Sequence, residues 1–435
     1  MTNLILNKKI TINSFSSLFE SIVVPVLMLV MVPVFLNRLG PNSFAIWILV
    51  NTFVTSLMAL SFGGGNTVIK YISDTRYQSN ATFSSIFTFQ FFVIIILSII
   101  FFFSAYVVEK MIASSLFEFT NYIIAIFFIK QLEALNYSFC KGKERYDISS
   151  MLSSIAKVVF LGTQLIILFF SDNLNFIFEY AIYSAVIVYV MQIIILKSWF
   201  KDFNLFHFYD LKFIKIVLQY SLWNWYLSIV GVIYSNFDKW LVGFVLGLEI
   251  LGYYAVAVLF YNQSYMVVNS LVAWFFPMVS REGYSLKVKY LYNVLSKIIP
   301  IFTMFTCIFL LNYSHIFVLW LGEDNYNFSS AYISLFLCVL PLFVLKIIPH
   351  YMLLALGLVS EKFRYEIFIL VVRVALGVIL INKYGIQGLI AGFYFDLVIT
   401  VILYNSNFYS LLTTGTKLIM LSTIAFTLLS LLVVI

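Results

Sequence analysis

Apolar residues fill the chain in long stretches separated by short polar segments, and about 20 apolar residues suffice for a helix to cross a bilayer. Stretches of that kind lie at 12–36, 44–66, 83–107, 120–138, 150–171, 177–197, 213–242, 252–278, 296–318, 331–356, 363–382 and 387–404. Inside them the apolar positions do not alternate: Phe91-Phe92-Val93-Ile94-Ile95-Ile96-Leu97 is continuous. A membrane barrel strand would alternate apolar and polar residues over about ten positions. The pattern therefore predicts an all-α integral membrane fold with about twelve transmembrane helices. A further stretch, 417–435, is open between a thirteenth span and an interfacial helix.

The polar segments give orientation, because Lys and Arg accumulate on the cytoplasmic side. With the N-terminus inside, the inner segments hold eighteen such residues: Lys8, Lys9, Lys70, Arg76, Lys141, Lys143, Arg145, Lys197, Lys201, Lys212, Lys215, Arg281, Lys287, Lys289, Lys297, Lys362, Arg364 and Lys417. The outer ends hold four: Arg38, Lys110, Lys239 and Lys383. A single missed helix would scramble this alternation, so the bias supports the span count as well as a cytoplasmic N-terminus.

The chain also repeats itself. Leu39-Gly40 precedes Phe44-Ala45-Ile46-Trp47, and at an offset of 207 Leu246-Gly247 precedes Leu251-Gly252-Tyr253-Tyr254. The same offset pairs Ser73 with Ser280 and carries the end of the sixth span to the end of the twelfth. Both halves start inside, so the repeat is parallel. The expected organisation is an N-terminal six-helix bundle at 1–197, a cytoplasmic linker at 198–212, a C-terminal six-helix bundle at 213–404 and a tail at 405–435. Transporters use such repeats, with the substrate site between the halves and rocking between two access states.

Composition narrows the class. Of 435 residues, 63% are hydrophobic and 10% charged, against about 25% charged in an average soluble domain. Mean hydropathy is +1.01. There is too little polar surface for an ordinary soluble enzyme, a secreted domain or a disordered chain. The net charge of +7 forms no compact basic cluster, so no nucleic-acid partner is expected. Cys140, Cys307 and Cys338 fit no metal site and read as small apolar residues. No cleavable signal peptide is read at the N-terminus. The loops are too short for a catalytic domain, and there is no G-x-x-x-x-G-K-[ST] phosphate loop. Gly63-Gly64-Gly65, without a following Lys, reads as a helix end or a break. No enzyme activity, cofactor or metal is expected.

Candidate chemistry lies in the charges at membrane depth, each costing about 2.5–3.5 kcal/mol at a helix centre. Lys130 is near the middle of the fourth span, Lys157 near that of the fifth, Lys346 in the tenth and Arg373 in the eleventh. Two per half, they suit a hydrated cationic site for an anionic group such as a phosphate. Glu133 lies one turn from Lys130, and Asp396 matches Arg373 in depth, so both pairs are open between substrate contact and charge pairing. Glu20 and Asp238, with Glu133 and Asp396, are candidates for carrying a coupling proton or Na⁺. His350 and Glu179 read as structural and solvated respectively. Pro25, Pro33, Pro277, Pro300, Pro341 and Pro349 mark candidate bends. Trp47, Trp240 and Trp320 sit where aromatic-belt residues sit.

Three segments carry a family resemblance: Pro33 to Trp47; Asn236-Phe237-Asp238-Lys239-Trp240-Leu241-Val242-Gly243 through to Ala257; and Tyr384-Gly385-Ile386-Gln387-Gly388. The chain resembles the polysaccharide (Wzx-type O-antigen) flippases of the multidrug/oligosaccharidyl-lipid/polysaccharide exporter superfamily. Ala45 stands where the family usually has Gly. The resemblance implies a MATE-like, V-shaped fold of two six-helix bundles in the cytoplasmic (inner) membrane. It implies translocation of undecaprenyl-diphosphate-linked oligosaccharide from the inner to the outer leaflet, coupled to an ion gradient. The implied partners are that lipid-linked substrate, membrane lipid and polysaccharide polymerase or chain-length proteins, with the chain itself a monomer. The rival readings are a multidrug cation antiporter, a peptidoglycan-precursor flippase and, from another class, an O-antigen polymerase, for which the outer loops are short.

Overall fold

A computed structural model describes residues 2–61, 64–73, 79–112, 118–200, 203–205 and 211–434, with most side chains described from residue 23 onward. Among these residues every regular element is helical. In chain order they are α1 (Thr2–Leu60), α2 (Gly64–Ser73), α3 (Ser79–Ile112), α4 (Thr120–Gly142), α5 (Tyr146–Phe170), α6 (Leu174–Trp199), α7 (Leu211–Val245), α8 (Leu248–Val272), α9 (Phe275–Glu282), α10 (Leu286–Asn312), α11 (His315–Leu321), α12 (Glu323–Leu345), α13 (Ile347–Ala355), α14 (Val359–Ser406) and α15 (Thr414–Val434). Ten helices among the described residues are long and apolar enough to cross a membrane. Two of those, Val23–Leu60 and Ser360–Ser406, contain non-helical glycines at Gly40 and Gly385. Each of the two thus covers two of the expected spans, and α7 covers the span at 213–242. The arrangement is compatible with the twelve-span reading, and α15 turns the open stretch at 417–435 into a helix of membrane-crossing length.

The α14 bend shows how such a pair is made. Gly385 has φ 61° and ψ −143°, a conformation that only glycine adopts readily. Across it the arms run antiparallel in register. A Cβ on Gly388 would lie 2.9 Å from the Leu380 carbonyl carbon, and one on Gly392 would lie 3.6 Å from Leu376 Cβ. The small residues let the arms close into a helical hairpin.

The chain divides into two compact units, residues 1–28 with 46–236 and residues 29–45 with 237–435. In the first, α4 packs against α2, α3, α5 and α6. Gly64 and Gly65 open α2, where a Cβ would strike Gln90 of α3 and Ser138 of α4. Gly64 and Gly65 are thus a helix start that allows close packing, where a helix end or a break was expected, and Gly63 lies outside the described residues. In the second unit α12 is the central helix, packed by α8, α10, α14 and α15. Pro349 sits in the first turn of α13, where its missing N–H costs nothing. Its ring excludes a helical bond to the Leu345 carbonyl, and the helix breaks there, leaving Lys346 at the junction. Pro300 and Pro341, by contrast, lie inside continuous helices. The last helix is anchored by polar contacts: Thr416 Oγ1 donates to Asn293 Oδ1 at 2.6 Å, and the Asn293 amide donates to the Leu411 carbonyl at 2.9 Å.

Candidate functional site

The intramembrane charges fall in both units. In the first, Lys130 Nζ lies 3.0 Å from Glu133 Oε2, one turn along α4. Glu133 is buried, with 2% of its side chain exposed. Its Oε2 also accepts the Tyr137 hydroxyl at 3.2 Å, and Gln192 of α6 donates to that hydroxyl's oxygen at 3.0 Å. The Lys130 ammonium lies 4.3 Å from the centre of the Phe160 ring on α5. Lys130 is thus held by a carboxylate and an aromatic face.

Lys157 is placed differently. Beyond its first residue, Tyr146, the exposed large apolar residues of α5 are Met151, Ile155, Val159, Ile166, Phe169 and Phe170. At 3.6 residues per turn these share an arc of about 100°, and Lys157 lies at least about 120° outside it. Lys157 is itself exposed, among Ser153, Ser154 and Gln164 on a polar face. Its accessible surface is therefore not on the lipid-facing stripe.

In the second unit Arg373 and Asp396, each near the middle of one arm of the α14 hairpin, form an ion pair at 2.8 Å with 11% and 0% of their side chains exposed. The guanidinium also lies 3.9 Å from the centre of the Phe393 ring. Asp238 of α7 is buried and its Oδ2 accepts the Tyr254 hydroxyl of α8 at 2.9 Å. Asp238 and Asp396 are within electrostatic reach of each other, and Arg373 acts on both Lys239 and Lys346. Oδ1 of each aspartate and Oε1 of Glu133 are buried with no hydrogen-bond partner among the described residues. Lys346 is half-buried, its ammonium 4.0 Å from the centre of the Phe343 ring.

The structure therefore brings together Lys130 with Glu133 and Arg373 with Asp396, and gathers Asp238, Lys346 and the Arg373–Asp396 pair within one unit. Glu20 lies outside the residues whose side chains are described. Among the described residues no group of His, Cys, Asp and Glu is arranged to hold a metal ion. The three cysteines are buried and free.

The repeat motif gains a physical meaning here. Gly40 (φ 74°, ψ 169°) and Gly247 (φ 94°, ψ 171°) adopt nearly the same conformation. The last position of the motif is Trp47 in one half and Tyr254 in the other, and both are buried. Trp47 donates to Gln164 Oε1 at 2.6 Å, as Tyr254 donates to Asp238. The motif turns the chain and aims an aromatic hydrogen-bond donor at a buried acceptor. Trp47 is thus an interior residue and not part of an interfacial belt. The roles of Tyr254, Tyr137 and Gln164 are not visible in the linear sequence, although the offset of 207 marks the first of them.

Solved structures share the whole architecture. The chain is 18% identical to the lipid II flippase MurJ in an inward closed conformation, covering 97% of each chain with a TM-score of 0.74. It is 13% identical to a multidrug resistance MATE family transporter of the MOP superfamily in an inward-facing conformation, covering 94% of this chain and 98% of that one with a TM-score of 0.65. For a point mutant of the Vibrio cholerae MATE transporter VcmN the values are 15%, 93%, 95% and 0.63. No curated protein sequence matches the chain. The chain has the multi-pass fold of these solved structures. More narrowly, residues 10–282 match the model of the polysaccharide biosynthesis protein family, and the chain belongs to that family.

Proposed function

We propose that the protein is a flippase carrying undecaprenyl-diphosphate-linked oligosaccharide repeat units from the inner to the outer leaflet of the cytoplasmic membrane. The transport works by alternating access, with the N-terminus in the cytoplasm. The observation that carries this reading is the placement of Lys157. It is a mid-helix ammonium with accessible surface away from the lipid-facing stripe, in a chain of the polysaccharide biosynthesis family. A cation so placed is stable against water or an anion, and a diphosphate supplies the anion. Lys346 is a half-buried ammonium of the second unit within electrostatic reach of Asp396, and Lys130 and Arg373 contribute positive charge from within ion pairs. Glu133, Asp238 and Asp396 are the acids that would take up a coupling proton or Na⁺; a ligand shifts the access equilibrium only by its differential affinity for the two states. Glycan polymerase and chain-length proteins are the partners this role implies.

The test is a sidedness assay in proteoliposomes. Undecaprenyl-diphosphate oligosaccharide is placed in the inner leaflet and its exposure to an external glycosidase is followed. Protein-dependent exposure that falls in Lys157→Ala and Lys346→Ala is the expected outcome. No exposure with any of several glycans, together with pH-driven export of a cationic dye, would replace the proposal with multidrug antiport.

A further inference from the structure

A chain of hydrogen bonds passes from α4 through α6 and back to the Glu133 carboxylate. The Asn136 amide donates to Gln192 Oε1 at 3.3 Å, the Gln192 amide donates to the Tyr137 hydroxyl oxygen at 3.0 Å, and that hydroxyl donates to Glu133 Oε2 at 3.2 Å. Lys130 binds the same carboxylate oxygen at 3.0 Å. Oε1 is left buried with no partner, and so is Asn136 Oδ1 one turn along α4. Two acceptors cannot satisfy each other, and a proton on Oε1 is the donor that this face of the helix lacks. Among the described residues, the titratable groups that act on Glu133 are Lys130 and Tyr137 of α4 and Tyr189 of α6, and Lys157 of α5 acts on Lys130.

Lys130 is the accessible member of the pair: 15% of its side chain is exposed, against 2% for Glu133. Its ammonium rests on Phe160, 4.3 Å from the ring centre, and Phe160 lies one turn of α5 from the exposed Lys157. A lysine carries its charge on a flexible four-carbon stem, so Lys130 can leave Glu133 for an anion held at Lys157. Without a proton that exchange is unfavourable twice over. A buried carboxylate stripped of its cation is strongly destabilised, and its negative charge repels the arriving anion. One proton on Glu133 removes both penalties.

We propose that Glu133 takes up one proton from solvent as the anion binds: the Lys130 ammonium moves from the carboxylate to the phosphate oxygens beside Lys157, and an O–H bond forms at Glu133 Oε1. The identity of the anion rests on the flippase reading. Linkage is reciprocal, so lower pH tightens anion binding and the bound anion makes the carboxyl hold its proton more firmly. The experiment measures binding of undecaprenyl-diphosphate oligosaccharide to the detergent-purified protein as a function of pH. In this ligand the diphosphate is esterified at both ends and lacks the monoester ionisation at about pH 6. Affinity should rise as pH falls, by up to about tenfold per pH unit, the slope of one linked proton. Glu133→Gln is neutral at every pH, so the slope should vanish and the affinity should stay at the low-pH value. Lys130→Met should bind more weakly at every pH. In the unaltered protein the infrared band of a protonated carboxyl should appear when the ligand binds, and Glu133→Gln should lack it. Binding that is flat in pH, a slope that survives in Glu133→Gln, undiminished affinity in Lys130→Met, or no such band overturns the switch and leaves the flippase reading intact. Failure of the unaltered protein to bind the ligand at any pH overturns both.

Discussion

Removing Asp396 alone should cost far more than removing it together with Arg373. The two charges meet at 2.8 Å with the carboxylate fully buried, across the hairpin that Gly385 creates. Breaking one partner of a buried pair typically costs about 3–5 kcal/mol, because the other charge is left uncompensated, whereas replacing both by apolar groups of similar size is about neutral or stabilising. Arg373→Met should fall toward the lower end, since Lys346 also acts on Asp396. Asp396→Leu leaves the guanidinium over the Phe393 ring, 3.9 Å from its centre, and a cation–π contact recovers only about 1–2 kcal/mol. The double variant Arg373→Met/Asp396→Leu should return close to the starting stability.

The assay is reversible unfolding in mixed micelles, run as a double-mutant cycle on the two singles and the double. A coupling energy of at least about 3 kcal/mol is expected. Singles that each cost less than about 1 kcal/mol, or a double that costs their sum, would show that water or lipid headgroups already compensate the charges, and the buried-pair reasoning would be wrong. Transport measured on the double variant then reads what the charges contribute beyond stability.

Three further outcomes follow from local geometry. Gly388→Ala places a Cβ 2.9 Å from the Leu380 carbonyl carbon, so the α14 arms must part; a loss of about 1–3 kcal/mol is expected in the same unfolding measurement, as for overpacking elsewhere. Asn293→Ala removes the side chain that joins α10 to Leu411, Thr413 and Thr416, so amides at the start of α15 should exchange hydrogen faster while those of α12 do not. The third concerns pH. Hydrogen bonding from Lys287 holds the Glu282 carboxyl below the usual carboxylate range. The sign for a depressed acid is stabilisation that is present above its unfolded value, about 4.3, and lost as pH falls through the lower folded value. The turn between α9 and α10 should therefore keep its full exchange protection above the unfolded value and lose it as pH falls through the lower folded one, and Lys287→Ala should move that loss to higher pH.

Periodicity makes the helices legible because bilayer thickness fixes their length. It separates the spans on either side of Gly40 and Gly385, but shows neither the conformation of those glycines nor that the span expected at 331–356 breaks at Lys346. Those depend on a single backbone conformation or one proline ring, which hydropathy does not register. Among site residues, Lys130 with Glu133 was legible because a spacing of three brings side chains together on any helix. Arg373 with Asp396 was legible only as a match in depth, and the hairpin register converts it into contact. Tyr254, Gln164 and the rings of Phe160 and Phe393 were hidden, since their partners lie on other helices or on the other arm of the hairpin; Tyr137 and Phe343 stand four and three residues from Glu133 and Lys346, but abundant aromatics give no local signal.

The sequence already sets Lys130 one turn from Glu133 and Arg373 level with Asp396; the structure separates the four intramembrane cations further by environment. Lys130 and Arg373 each sit against a carboxylate, so their charge is largely cancelled within hydrogen-bonding distance and acts weakly on anything farther away. Lys157 is exposed on a polar face, so an arriving anion reaches its field at less desolvation cost; Lys346 is half-buried, as Lys130 and Arg373 are, and lies within electrostatic reach of Asp396. The repeat does not relate the two lysines: the offset of 207 carries Lys157 to Arg364, near the start of α14, and carries Lys346 back to the buried Phe139. The repeat thus fixes the glycine turns and the buried aromatic donors, which build the fold, and does not fix the positions of these two lysines. That asymmetry suits a substrate that is itself asymmetric, with phosphate at one end of the headgroup and sugar at the other.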